Sequence, residues 1–205
     1  NFSVSKVETQ SLAPSSSSIS YGSIFLGKLI FLAASFFSVP VMVTSGSSPS
    51  SMATTDFDKN FTHLIEDALH NVLEYTGYSS DIDCIYIYIS LERSVQYLVF
   101  FKINECLSLK HKLNEYAITK QIDVSDENQR RLNSNGNAIA QKIRASFQDD
   151  GREVPSSLKI TYEPKTGRLN STMSYDKLLD DEDPLTMFFR WFAEEGGVLE
   201  PWQMI

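Results

Sequence analysis

A chain of 205 residues with 18 basic and 26 acidic side chains, formal charge −8, has room for one ordinary domain and an appendage. That acidity excludes the basic footprint by which proteins hold a phosphate backbone, so nucleic acid is not a direct partner. Two cysteines, Cys84 and Cys106, are too few for a disulfide framework and read as small buried thiols.

Composition divides the chain near Met52. Residues 1–51 are serine-rich, with Lys6, Glu8 and Lys28 as their charges; taking these from the totals leaves 16 basic and 25 acidic residues, −9, on residues 52–205. Within the first part, residues 23–43 read SIFLGKLIFLAASFFSVPVMV, about the length of a membrane span. Two readings stand. In one, the run is a secretory signal or anchor, with small residues Val43-Thr44-Ser45 at a cleavage site. In the other, Met52 is the true start and residues 1–51 are upstream sequence outside the fold. Residues 52–205 are read as a single domain.

In the second part, residues 56–75 have helical spacing, with Phe57, Phe61, Leu64, Ile65, Ala68, Leu69 and Val72 on one face and Thr55 or Asp56 as cap. His63 and His70 fall on that helix without further ligands nearby and read as solvated. Residues 85–91 alternate, Ile85, Ile87, Ile89 and Leu91 against Tyr86 and Tyr88. Residues 95–103 return in phase as Val95, Tyr97, Val99, Phe101 and Ile103. Apolar bulk on both faces places this hairpin centrally in a sheet. A further strand is expected within residues 107–122, where Lys110-His111-Lys112 is a basic spot too short to hold nucleic acid.

A second helix starts at Val124-Ser125-Asp126 and carries Leu132, Ile139, Ile143 and Phe147, with Ala138 and Ala140 filling in and Gly136 weakening its middle. A second hairpin follows, Leu158, Ile160 and Tyr162 answered by Leu169, Ser171, Met173 and Tyr175. The acidic knot Asp180-Asp181-Glu182-Asp183 leads into a third helix, with Asp183 as N-cap and Pro184 in its first turn. Leu185, Phe188, Phe189 and Phe192 form its buried stripe, and Gly196-Gly197 stop it. Strands arrive as hairpins, so the expected class is α+β, an antiparallel sheet flanked by helices.

The sequence holds no phosphate loop, no GxGxxG, no CxxC, no HExxH and no GxSxG. Its carboxylates come as runs, the pattern of solvated faces, and Asp180 to Asp183 lack the ligand spacing of a calcium loop. No catalytic residue, metal ligand or cofactor is assigned. Carboxylates beside aromatics read instead as a surface for a basic protein partner, with Asp180, Asp181, Glu182, Asp183, Trp191, Glu194 and Glu195 as contacts. Helix capping accounts for part of that charge on its own.

Several segments resemble the YezG-like immunity proteins of bacterial polymorphic toxin systems. They are the Tyr/Ile-rich hairpin Cys84-Ile85-Tyr86-Ile87-Tyr88 with Tyr97-Leu98-Val99-Phe100-Phe101, the run Ile122-Asp123-Val124-Ser125 before the second helix, and the later hairpin Leu158-Lys159-Ile160-Thr161-Tyr162 with Thr166-Gly167-Arg168-Leu169 and Ser174-Tyr175-Asp176. The acidic linker and the aromatic helix follow. Where that family commonly carries Pro-Trp before the second hairpin, this chain has Val154-Pro155-Ser156-Ser157. The resemblance implies a cytoplasmic, non-catalytic antitoxin that binds the toxin domain of a cognate secreted effector, often a nuclease, and occludes its active cleft. Two rivals remain: a membrane-anchored or exported immunity protein using residues 23–43 against an envelope-targeting toxin, and an enzyme working through the carboxylate runs.

Overall fold

The structure is a computed structural model that describes residues 18–25, 55–179 and 182–203. A six-stranded antiparallel sheet lies between two helices on one face and one on the other. In chain order the elements are β1 (Ser18–Phe25), α1 (Asp56–Tyr75), β2 (Ile82–Ser90), β3 (Gln96–Ile103), β4 (Cys106–Leu109), α2 (Asp126–Asp149), β5 (Ser157–Glu163), β6 (Arg168–Ser174) and α3 (Pro184–Glu194). The order across the sheet is β1-β6-β5-β2-β3-β4. The α+β class and the hairpin-built sheet expected from the sequence are confirmed, and β2 sits between β5 and β3 as its two-sided apolar pattern requires. Met52 and most of residues 23–43 lie outside the described residues; Ser18–Phe25 pairs with β6 at the sheet edge.

Strand alternation divides the core in two. Ile85, Ile87 and Ile89 of β2, Tyr97, Val99, Phe101 and Ile103 of β3, and Leu158, Ile160 and Tyr162 of β5 face α1 and α2. Tyr86 and Tyr88 of β2 and Phe100 of β3 face Phe188, Phe189, Trp191 and Phe192 of α3. In α1 the buried positions recur at helical spacing from Phe57 to Tyr75, and a reciprocal capping box between Thr55 and Asp58 satisfies its first amides. Ser125 caps α2, accepting from the Asn128 N–H at 3.3 Å.

Four expectations are corrected. The strand sought within residues 107–122 is shorter and earlier, Cys106–Leu109, and a 3₁₀ turn (Lys110–Glu115) follows it. The Lys110-His111-Lys112 spot is dispersed: Lys110 Nζ donates to Asn133 Oδ1 at 2.6 Å, and Lys112 pairs with Glu200 at 2.8 Å. The cysteines are free thiols, Cys84 half-buried and Cys106 exposed, because Cys106 directly follows a hairpin turn. Leu185 lies within the apolar arc of α3 by angle, yet it is 42% exposed, since it sits one turn before the ring cluster.

Candidate partner-binding surface

α3 is held on the sheet by aromatic packing about Phe100. That ring stacks on Tyr86 at 4.4 Å and meets Trp191, Phe192 and Phe188 edge-on at 5.0, 5.2 and 5.6 Å. Trp191 therefore faces inward, 5% exposed, with Lys159 Nζ over its ring at 5.0 Å. An indole so placed supports the surface from beneath. The sequence pointed to Trp191 through its neighbours and missed that the strand rings Tyr86 and Phe100 need an apolar cover on that side.

The carboxylates named from the sequence fall into separate groups. Asp180 and Asp181 lie outside the described residues. Asp183 caps α3, its Oδ1 accepting from the Thr186 N–H at 2.6 Å, and this backbone bond holds its carboxyl below the ordinary value. Glu182 accepts from Arg190 at 2.7 Å and from the Leu179 N–H at 3.4 Å; the Arg190 bond is the main reason its carboxyl is lowered. These two acids stabilise the start of α3, where negative charge meets the positive end of the helix dipole.

Glu194 and Glu195 stand at the opposite end, exposed, where the dipole opposes negative charge. No basic residue lies in that last turn. Glu195 accepts from the Trp191 indole N–H at 3.1 Å and also faces the Tyr86 hydroxyl. Burial is the main cause raising the Tyr86 phenol, so it stays protonated and donates. Cys84 lies against the same hydroxyl, and burial pushes its thiol up to about 11. Glu195 is thus a fixed carboxylate at the mouth of a cleft of about 690 Å³. The cleft runs between β4 and the chain after α3, with Leu107, Lys112, Tyr116 and Gln203 also on its walls.

Among the described residues no group of histidine, cysteine and carboxylate side chains has the arrangement of a metal site, and no helix is long and apolar enough to cross a membrane. The outstanding features are surface ones: an acidic helix end over an aromatic base, and a cleft beside a sheet edge. The family model for immunity protein YezG-like matches residues 80–198, more than half of the chain. The chain belongs to the YezG-like family of immunity proteins. No curated protein matches it.

Proposed function

We propose that this chain binds the toxin domain of a cognate secreted effector, a nuclease, and neutralises it in the cytoplasm by occluding its basic cleft, with no bond made or broken by its own side chains. Membership of an immunity family supports the antitoxin role. The observation that carries the surface is the pair Glu194 and Glu195, exposed at the helix end where negative charge costs stability, with no basic residue in the same turn and Glu195 held by the Trp191 N–H. A phosphate-binding nuclease cleft is rich in Lys and Arg, so carboxylates presented on a rigid aromatic base complement it in sign and slow its release. Glu182 and Asp183 add acidity at the other end of α3, and Asp180 and Asp181 precede them in the sequence.

The test is a protection assay against the toxin domain encoded beside this chain's gene. Replacing Glu194 and Glu195 by Gln is expected to weaken the complex at least about tenfold by calorimetry and to abolish protection, as charged pairs at interfaces do. A second variant with Asp180, Asp181 and Asp183 changed to Asn is expected to lose a smaller part of the affinity. Full protection by both variants would remove these carboxylates from the interface.

A further inference from the structure

β4 is the last strand in the sheet, and its outer edge forms one wall of the cleft. The phase of that edge follows from the turn before it. Asn104 and Glu105, the two residues between β3 and β4, have φ of 46° and 66°. Positive φ at both positions is the mark of a type I′ two-residue hairpin. The flanking pair Ile103–Cys106 then exchanges both its hydrogen bonds, and the antiparallel alternation gives Phe101–Ser108 the same role. Leu107, opposite Lys102, turns its N–H and C=O away from β3, and all four β4 residues lie on the cleft wall. Among the described residues no backbone group pairs with that outer edge.

We propose that an extended, Lys- or Arg-bearing segment of the toxin adds to β4 as a further strand inside this cleft; the proposal rests on the toxin-binding reading and names where and how the contact is made. Charge supports the occupant. Lys102 pairs with Glu105 at 2.7 Å and Lys112 with Glu200 at 2.8 Å, and Glu115 and Glu195 stand on the same lining, so its acids outnumber its two lysines. The second sign is Gln203. It lines the cleft at 6% exposure, its Oε1 accepts from the Glu200 N–H at 2.7 Å, and its Nε2 has no partner among the described residues. A buried amide donor left unsatisfied is costly, and a small opening of the residues over it lets a carbonyl on an incoming segment satisfy it. Strand addition supplies main-chain hydrogen bonds for affinity, while Glu115 and Glu195 select basic side chains. Exposed Val198 and partly exposed Tyr116 give the same cleft an apolar rim. The volume lies within the range of about 300–1,000 Å³ usual for binding clefts.

The experiment is amide hydrogen exchange on the unaltered chain, alone and with the purified toxin domain encoded beside it. Exchange at the Leu107 N–H is expected to slow at least about tenfold in the complex. Leu107→Pro removes that outward donor without removing a β3–β4 bond and is expected to raise Kd about tenfold or more. If that variant does not fold, the exchange result on the unaltered chain decides alone. A complex that protects cells while Leu107 exchanges as in the free chain overturns this proposal and leaves the antitoxin reading in place. Absence of any complex overturns both. Protection of Leu107 through self-association without toxin, seen as a dimer by light scattering, assigns the edge to a second copy and overturns the proposal.

Discussion

Tyr97 joins three elements through one residue. Its hydroxyl donates to the Ala68 carbonyl of α1 at 2.7 Å, its backbone N–H donates to Asn137 Oδ1 of α2 at 2.8 Å, and its ring lies against Gly136. A Cβ on Gly136 would stand 2.1 Å from the ring carbon Cδ1. The ring is 2% exposed and pinned at its far end, so it has no room to retreat. Glycine costs a helix about 1 kcal/mol relative to alanine, and an overpacked core position costs about 1–3 kcal/mol. The clash is therefore expected to win: Gly136→Ala lowers stability by up to about 2 kcal/mol in urea unfolding with the slope m unchanged. From sequence, Gly136 is only a weak point in a helix. Its reason is a ring on a strand far away in the chain, which no local pattern reveals. The same holds for Trp191, whose neighbours in sequence are Arg190 and Phe192 and whose neighbours in space are Tyr86 and Phe100.

Elements with strong periodicity were legible: the alternation of residues 85–91 and 95–103 specified faces and partners, and helical spacing located α1 and α2 to within a few residues. The segment after β4 was not, because polar side chains hold it where a strand pattern was expected. Asp81, 5% exposed, accepts from the N–H groups of Ile118 and Thr119 at 2.9 and 2.7 Å and from the Thr119 hydroxyl at 2.6 Å. Asn114 makes a reciprocal pair with Ile122, at 2.8 Å each way. The bonds from Thr119 hold the Asp81 carboxyl below its ordinary value of 3.8. Its stabilising contribution is therefore complete above that ordinary value and disappears as pH falls through the lower, folded value. Asp81→Asn is expected to be less stable than the unaltered chain at neutral pH and to lose less on acidification. Urea unfolding at several pH values between about 2 and 7 checks both, and parallel acid limbs would show that Asp81 does not titrate with folding.

At the scale of the whole molecule, the three-layer arrangement packs the three described α-helices on the sheet, and most of the described carboxylates stay at least partly exposed. A net charge of −8 attracts a basic partner over roughly one Debye length, about 10 Å at 0.1 M salt. The association rate with the toxin domain is expected to fall about tenfold or more between low and high salt in stopped-flow mixing, with dissociation changing less. A salt-independent rate would mean that the acidity serves solubility. The acidic balance was plain in the sequence, but which carboxylates face outward was not, since that depends on which of them α3 consumes as caps. The turn at Asn104 and Glu105 has a reach beyond its own two residues. A strand alternates with period two, so lengthening that turn by a single residue would rotate everything after it by half a cycle. Leu107 and Leu109 would leave the α3 side, and the amides now presented to the cleft would point back into the sheet. The phase of this molecular border is thus written in a corner made of two side chains that accept a left-handed backbone.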